Sequence, residues 1–117
     1  MYEIRKQFEF SASHQLNDLP AEHQCARLHG HNYIVEVVLG GTELDRTGFI
    51  VDYGKLHFVK EYIDAFLDHR HLNDVLDCNP TAENMARILY TKFKPQYEHL
   101  IAVRVSETPK TWAQYTA

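Results

Sequence analysis

A central β-strand is predicted by the stretch Tyr33-Ile34-Val35-Glu36-Val37-Val38-Leu39, which Gly40-Gly41 closes. Its odd-numbered positions are all apolar, and the opposite face carries Ile34 and Val38. A strand that is apolar on both faces needs a layer of structure against each face. The two helices predicted below can cover only one face, so we expect a neighbouring subunit to cover the other. The alternative is a modest exposed apolar patch, which monomers also show.

The other predicted elements give the order strand, strand, helix, helix, strand, strand along the chain. The strands span residues 2–10, 33–39, 100–107 and 111–115. One helix spans residues 55–67 after a cap at Asp52, and the other is opened by Asn79-Pro80-Thr81 and ended by Pro95. Residues 11–30 show no period, and so long a stretch is expected to be a functional or disordered loop. The order favours the α+β class, with a four-stranded antiparallel sheet and two helices on one face.

Composition predicts one domain over residues 1–117, with the profile of a soluble globular protein. Hydrophobic residues make up 44% of the chain and charged residues 24%, and the net charge is −4. Without a basic cluster, tight sequence-independent binding to nucleic acid or to an anionic membrane is disfavoured. The start shows no secretory signal, and no apolar run approaches the roughly 18 residues of a spanning helix. Two cysteines, Cys25 and Cys78, are too few for a disulfide scaffold, so a reduced cytoplasmic protein is expected.

Histidine is the unusual component of the chain, with eight residues in 117. In His29-Gly30-His31 the two imidazoles would lie about 7 Å apart on the same side of an extended chain. His14 follows the end of the first predicted strand, so antiparallel pairing would bring it beside them. Three neutral imidazoles with no fourth protein ligand describe an open zinc site of the catalytic kind. The alternative is a chance pair of histidines on a solvent-exposed strand.

Cys25 lies four residues before His29 and allows three interpretations. It could complete a closed structural zinc site of three histidines and one cysteine. It could instead stand away from the metal as a reactive thiol activated by nearby cationic groups. The third interpretation is an inert buried cysteine, the commonest fate of a single cysteine, and the spacing leaves all three open. Cys78 has no histidine motif beside it and is interpreted as structural.

Two acidic residues are further candidates for chemistry. Asp68 directly precedes His69, and such a carboxylate can orient an imidazole for a proton relay, although a polar loop between helices would look the same. Glu107 shares parity with Val103 and Val105 and therefore points to the apolar face of its predicted strand. Burying an unpaired carboxylate is costly, so it needs a partner such as a ligand with two N–H groups. The alternative is that the strand ends earlier and Glu107 reaches solvent.

Taken together, six motifs resemble one family, the 6-pyruvoyltetrahydropterin synthase and 6-carboxytetrahydropterin synthase group, whose members share the tunnelling fold. The motifs are Phe10-Ser11-Ala12-Ser13-His14, Cys25-Ala26-Arg27-Leu28-His29-Gly30-His31, Val51-Asp52-Tyr53, Leu67-Asp68-His69 with Leu72-Asn73, Asn79-Pro80-Thr81-Ala82-Glu83-Asn84, and Glu107-Thr108. The match runs from the first predicted strand to Tyr115, so it covers essentially the whole chain. Each motif is weak alone, and their order makes the resemblance specific.

The resemblance implies a zinc ion as cofactor, held by His14, His29 and His31. It also implies that the sheets of three subunits join side by side into a barrel and that two trimers stack into a hexamer. Active sites then lie between subunits. A homo-oligomer of this kind fits the predicted strand that is apolar on both faces.

The resemblance further implies catalytic roles. Cys25 matches the thiol that moves a proton on the substrate side chain, and Asp68 with His69 matches the pair that relays protons. Glu107 matches the carboxylate that binds the pterin ring through its amino and ring N–H groups. His71 departs from the family pattern, in which an aromatic residue is usual, and His69 is favoured as the relay because it follows Asp68 directly.

The reaction implied is conversion of 7,8-dihydroneopterin triphosphate to 6-carboxy-5,6,7,8-tetrahydropterin, with release of triphosphate and acetaldehyde, in queuosine biosynthesis. The three residues between Cys25 and His29 resemble the bacterial carboxy-forming branch. Pyruvoyl-forming relatives have a longer gap, and a third branch has Glu near the cysteine position. The nearest rival is the same zinc enzyme performing only triphosphate elimination to the pyruvoyl product. A rival of another class is a non-catalytic zinc-binding module with Cys25 as a fourth ligand.

Overall fold

The computed structural model describes residues 1–117 and contains five strands, three α-helices and two short 3-10 turns. The strands are β1 (Tyr2–His14), β2 (His29–Gly41), β3 (Arg70–His71), β4 (Leu100–Thr108) and β5 (Thr111–Tyr115). The α-helices are α1 (His57–Phe66), α2 (Leu72–Val75) and α3 (Ala82–Phe93), and the 3-10 turns are Gln24–Ala26 and Tyr53–Leu56. No helix combines the length and the apolar character needed to cross a membrane.

The strands form one mixed sheet in the order β3-β1-β2-β4-β5. All neighbouring pairs are antiparallel except β3 with β1, which is parallel. The expected sheet of four antiparallel strands is therefore wrong by one strand. β3 has only two residues, too few for an alternation that the sequence could show. It forms because the chain after α1 is tied to β1, where the His69 N–H donates to the Ser11 carbonyl at 2.6 Å.

The first strand is longer than its apolar alternation predicts. β1 continues beyond residue 10 to His14 and pairs with β2 along its whole length, ending at the register pair of His14 and His29. Residues 11–14 and 29–30 therefore belong to the sheet rather than to the expected loop. Residues 11–13 lack large apolar side chains, so no alternation marks them as a strand. Their pairing places His14 directly opposite His29.

The two longer helices, α1 and α3, cover one face of the sheet, as expected, and the four-residue α2 is an addition. A single helical turn carries no apolar period, so the sequence pattern does not predict it. Asp52 caps the 3-10 turn that leads into α1, because its side chain accepts the Gly54 N–H at 2.9 Å. Thr81 caps α3 by accepting the Asn84 N–H at 3.1 Å.

The core lies between the sheet and these helices as one cluster of 22 buried residues. β1 contributes even-numbered residues and β2 odd-numbered residues, because side chains alternate between the faces of a strand. Phe10 and Val35 of the sheet belong to this cluster together with Ile63 of α1 and Leu89 of α3. The sheet positions just beyond this core, on the same face, are those of the candidate metal ligands.

Candidate active site

Three histidines converge at the end of the sheet where β1 ends and β2 begins. His14 is the last residue of β1, His29 is the first residue of β2, and His31 follows on the same face. One ring nitrogen of each lies within 4.8 Å of those of the other two. The group expected from the sequence, here called the histidine cluster, is thus brought together by one strand pairing.

Backbone carbonyls fix the tautomers of two of these rings. His14 Nδ1 lies 2.8 Å from the Pro80 carbonyl oxygen, and His29 Nδ1 lies 2.7 Å from the Arg27 carbonyl oxygen. A carbonyl oxygen only accepts, so each Nδ1 carries the proton and each Nε2 carries a lone pair. These two Nε2 atoms face each other at 2.9 Å. Because two lone pairs cannot hydrogen-bond to each other, a proton or a metal ion must be shared between them.

His31 adds a third nitrogen that favours the metal. Its Nε2 is buried and has no hydrogen-bond partner. Glu107 Oε2 approaches it to 3.0 Å without the alignment of a hydrogen bond. A shared proton would serve only two of the three rings, whereas a metal ion accepts three imidazole lone pairs at once.

The electrostatics of the cluster keep these lone pairs available. Burial lowers the pKa of His14, and neither the Pro80 carbonyl nor the Glu107 carboxylate offsets it. Burial also lowers the pKa of His31 despite Glu107, so both rings are neutral at pH 7. Burial raises the pKa of Tyr33, whose hydroxyl lies 3.1 Å from His14 Nδ1 and stays protonated. The three imidazoles, two of which have their outer nitrogens held by backbone carbonyls, form a group that could hold a metal ion.

Glu107 lies near the end of β4, beside the histidine cluster. Its Oε2 is 3.0 Å from His31 Nε2 and 3.7 Å from His14 Nε2, and its side chain is 25% exposed. It lines an open cleft of about 700 Å³ together with His31, Tyr33 and Asp68. A part-buried carboxylate that faces a cleft is available to accept N–H groups of a ligand.

Asp68 and His69 lie against the edge of β1. Asp68 Oδ1 accepts the Ser11 N–H at 3.0 Å and lies 2.9 Å from His69 Nδ1. The Ser11 N–H, with His69 assisting and burial opposing, lowers the pKa of Asp68, so the carboxylate stays ionised. His69 adopts a left-handed conformation with φ of 58°, which is uncommon for a residue with a Cβ. The neighbouring His71 has a different partner, because its Nδ1 lies 2.9 Å from Ser13 Oγ.

Cys25 lies on the 3-10 turn between β1 and β2, apart from the histidine cluster. Its thiol is free and half-buried, and its carbonyl accepts the Leu16 N–H at 2.9 Å. The ligand atoms that converge are those of the three histidines, and Cys25 does not line the cleft that holds Glu107. The geometry of a single chain therefore does not favour Cys25 as a fourth ligand.

The family model of 6-pyruvoyl tetrahydropterin synthase matches residues 3–117. The chain belongs to this family. A 6-carboxy-5,6,7,8-tetrahydropterin synthase of Bacillus subtilis (strain 168) is 32% identical over 129 residues, which cover 97% of this chain and 84% of that protein. A protein of the same name from Synechocystis is 34% identical over 125 residues, which cover 98% of this chain and 93% of that protein.

A solved structure of Caenorhabditis elegans 6-pyruvoyl tetrahydropterin synthase is also similar. It matches with a TM-score of 0.86 and 29% identity, covering 99% of this chain and 95% of that chain. The likeness confirms the α+β tunnelling fold of the 6-pyruvoyl tetrahydropterin synthase family, although the sheet has one strand more than expected. The relatives also confirm the expectation of a lyase-type enzyme of this family.

Two kinds of group around the histidine cluster are missed by the sequence analysis. Tyr33 counts only as a core residue in the apolar pattern, yet its hydroxyl contacts His14. Tyr33 is at an odd-numbered position of the same strand as His29 and His31, so the alternation of side chains is a sequence signal that could have identified it. The carbonyls of Arg27 and Pro80 leave no such signal, because every residue has a carbonyl and only the fold selects the two that face imidazoles.

Proposed function

We propose that this enzyme converts 7,8-dihydroneopterin triphosphate to 6-carboxy-5,6,7,8-tetrahydropterin, with release of triphosphate and acetaldehyde, as a step of queuosine biosynthesis. The observation that carries the proposal is the convergence of the three histidines beside the Glu107 carboxylate in one open cleft. Relatives that bear the carboxy-forming name, matched over nearly the whole chain, support it. So does the short gap between Cys25 and His29. Residues 1–117 would act as a single domain in the cytoplasm.

Zinc is the proposed cofactor, with His14, His29 and His31 as its protein ligands and a fourth position open. Three histidines with an open position are the donor set of a catalytic zinc rather than a structural one. When bound, zinc would lower the pKa of a coordinated hydroxyl and stabilise negative charge that develops beside the ring. The carbonyls of Pro80 and Arg27 would keep two of the rings in the metal-binding tautomer.

Glu107 is proposed to hold the pterin ring in place. An ionised carboxylate has two oxygens, which can accept a ring N–H and an amino N–H side by side. Such charge-assisted hydrogen bonds are about twice as strong as neutral ones. Glu107 Oε2 lies 3.0 Å from His31 Nε2. A pterin ring bound to Glu107 would therefore present the substrate's own side chain to the histidine cluster.

Proton transfers are assigned to Cys25 on one side of the substrate and to His69, oriented by Asp68, on the other. His69 Nδ1 faces Asp68 Oδ1 at 2.9 Å, which leaves its Nε2 free to exchange a proton. Cys25 lies outside the cleft of Glu107 within one chain. The proposal therefore includes a homohexamer of two stacked trimers, whose active sites lie between subunits.

A second candidate is triphosphate elimination alone, to the 6-pyruvoyl product. The likeness to the Caenorhabditis elegans 6-pyruvoyl tetrahydropterin synthase supports it. A non-catalytic zinc-binding module with Cys25 as fourth ligand has less support, because the converging ligand atoms belong to the three histidines.

The test is mass spectrometry of the products that the purified, zinc-loaded protein forms from 7,8-dihydroneopterin triphosphate. We expect 6-carboxy-5,6,7,8-tetrahydropterin together with acetaldehyde and triphosphate. A 6-pyruvoyl product without acetaldehyde would replace the proposal by the second candidate. No consumption of the pterin by fully zinc-loaded protein would overturn both.

A further inference from the structure

The motif Asn79-Pro80-Thr81-Ala82-Glu83-Asn84, here called the 79–84 motif, supplies the cap of α3, and that role uses only part of it. The Thr81 side chain accepts the Asn84 N–H at 3.1 Å. The side-chain amides of Asn79 and Asn84 and the carbonyl of Pro80 take no part in this cap, yet each makes a contact of its own. Two of these contacts reach the active site, and the third holds the motif itself.

The first contact of the 79–84 motif is with the histidine cluster. Pro80 is buried, and its carbonyl oxygen lies 2.8 Å from His14 Nδ1. That contact sets the tautomer in which His14 Nε2 offers its lone pair to a metal ion. The proline ring fixes φ, so the direction of this carbonyl depends on how the residues on either side of Pro80 are held.

The second contact is with the loop that carries Cys25. Asn79 Oδ1 accepts the Asn17 N–H at 2.9 Å, and Asn79 Nδ2 donates to the Asn17 carbonyl at 3.3 Å. The preceding residue, Leu16, donates its N–H to the Cys25 carbonyl at 2.9 Å. Residues 16–17 therefore connect the Asn79 side chain to the 3-10 turn of Cys25, and a shift of Asn79 would be transmitted to the thiol.

One carbonyl, that of Asn79, anchors both of these contacts. It accepts the Thr81 N–H at 2.8 Å, which closes a three-residue turn around Pro80 and so fixes the Pro80 carbonyl. The same oxygen accepts Asn84 Nδ2 at 2.9 Å, so both of its lone pairs are used. Asn84 belongs to α3, whose apolar face lies in the core, and its amide therefore ties the turn to a rigid element.

We infer that Asn84 acts through the Asn79 carbonyl as a positioning residue for two parts of the active site. One is the proposed metal ligand His14, which the Pro80 carbonyl contacts. The other is the Cys25 thiol, whose loop is held by the Asn79 side chain. The effect on turnover rests on the proposed function, whereas metal affinity and thiol reactivity are measured without it.

Asn84→Asp tests the anchor, because an ionised carboxylate has the shape of the amide but cannot donate to the Asn79 carbonyl. A carboxylate in the first turn of a helix is favoured by the helix dipole, so the melting temperature should stay close to that of the wild type. Zinc affinity, measured by competition with a chromophoric chelator, should fall by about 10-fold or more, as for loss of other outer contacts of metal ligands. The absorption spectrum of the cobalt-substituted protein should change as well, which a change in helix stability alone would not produce.

The thiol is followed by its rate of alkylation with iodoacetamide in a Cys78→Ala background, where Cys25 is the remaining cysteine. Asn84→Asp should speed alkylation by about 3- to 10-fold, the factor that corresponds to one lost hydrogen bond, because the half-buried thiol becomes more exposed. Asn79→Ala should speed it to the same extent and leave zinc affinity unchanged. It removes the side chain that holds Asn17 and keeps the carbonyl that Asn84 contacts.

Arg87→Gln is the matched control, because it makes the same change in net charge at an exposed position of the same helix. It should keep the zinc affinity and the alkylation rate of the wild type. Asn84→Ala repeats the test without an added charge and covers the case in which Asn84→Asp does not fold. Wild-type zinc affinity together with a wild-type alkylation rate in a folded Asn84 variant would overturn the inference. A lower melting temperature with an unchanged cobalt spectrum would also overturn it, since the role of Asn84 would then be merely structural.

The same variants separate this inference from the proposed function. If the wild type binds zinc and forms no carboxy product, while Asn84→Asp weakens zinc binding and exposes the thiol, the proposed function fails and the positioning role stands. If the wild type forms the product and Asn84→Asp matches it in zinc affinity, alkylation rate and turnover, the positioning role fails and the function stands.

Discussion

The two faces of the sheet each bury a polar cluster, and the clusters differ in whether their members satisfy one another. The face covered by helices carries the histidine cluster, at the end of β1 and β2. The opposite face carries a carboxylate cluster in the middle of the sheet. It consists of Gln7, Glu36 and Arg104, which are register partners across β1, β2 and β4.

The carboxylate cluster is complete within the chain. Glu36 accepts from Gln7 Nε2 at 2.9 Å with one oxygen and from Arg104 Nη1 at 2.7 Å with the other. Arg104 also lies over the Trp112 ring, 4.7 Å from its centroid. Burial acts to raise the pKa of Glu36, but these two hydrogen bonds and the Arg104 charge outweigh it and leave the pKa below its ordinary value. Buried polar groups satisfied in this way stabilise the structure and leave nothing for a ligand.

The histidine cluster is incomplete within the chain. Its outer nitrogens at His14 and His29 are satisfied by carbonyls, while the inner nitrogens face one another as lone pairs. The inner nitrogen of His31 has no hydrogen-bond partner at all. The difference between the two clusters shows that burial of polar groups alone does not mark a site. What marks it is a set of buried acceptors that only an added cation satisfies.

His29→Ala tests this reading of the histidine cluster and should have the largest effect. Removing one of the two facing nitrogens leaves two imidazoles, so bound metal and turnover should both fall to background. Metal analysis and product formation measure this, and circular dichroism should show the fold retained. His57→Ala is the control, because His57 is exposed and lies apart from the cluster. Full metal content in His29→Ala would contradict the metal site.

Cys25→Ala tests whether the Cys25 thiol belongs to the metal site formed by the histidine cluster. Because the thiol is not among the converging ligand atoms, the variant should keep its metal. It should lose turnover by about 10²–10⁴-fold if Cys25 transfers a proton. Single-turnover kinetics and metal analysis measure the two properties, with Cys78→Ala as the control. A joint fall in metal affinity and melting temperature would instead make Cys25 a ligand.

Glu107→Gln tests the carboxylate that borders the histidine cluster. The amide keeps one acceptor and loses the charge, so KM should rise by about 10-fold because a charge-assisted hydrogen bond is weakened. Metal content should remain that of the wild type. Steady-state kinetics with matched metal analysis check both, and unchanged kinetics would make the role of Glu107 structural.

Glu36→Gln tests the completeness of the carboxylate cluster and should leave activity per folded protein unchanged. The variant should lose about 1–3 kcal/mol of unfolding free energy, because Arg104 loses its charged partner. Urea denaturation measures this, and Glu3→Gln is the control, because Glu3 is a more exposed carboxylate on the neighbouring strand β1.

The difference in stability between the wild type and Glu36→Gln should depend on pH. The pKa of Glu36 is lower in the folded than in the unfolded protein. Its contribution to stability is therefore complete above its ordinary value of 4.5 and is lost as pH falls through the folded pKa. The stability difference between wild type and Glu36→Gln should shrink in that range, and a constant difference would contradict the pairing.

Asn73→Ala should have the smallest effect, because it removes a satisfied polar contact that is exposed. Asn73 Oδ1 accepts the Gln15 N–H at 2.9 Å, and its Nδ2 donates to the Gln15 carbonyl at 2.8 Å. Losing both should lower the unfolding free energy by about 1 kcal/mol, since water replaces them. Asn73→Asp keeps the acceptor and should lose less. If Asn73→Ala lost as much unfolding free energy as Glu36→Gln, burial of a polar contact would not determine how much stability its removal costs.

Much of the fold and part of the site follow from local pattern. The strand of residues 33–39 and the helix of residues 55–67 carry long apolar periods, which packing then reinforces. His29 and His31 share a face in any extended chain, because the alternation of side chains is a property of the backbone. The parity of Glu107 places it on the face of Val103 for the same reason.

Other features depend on how the chain closes on itself. Residues 11–14 become strand through pairing with β2, and β3 forms only because the chain after α1 returns to β1. The Pro80 carbonyl that sets the tautomer of His14 is 66 residues away in sequence. Side-chain direction along one strand is set by backbone geometry and can be read locally. Distances between strands and the carbonyl partners of the imidazoles arise from packing, so they exist only in the folded chain.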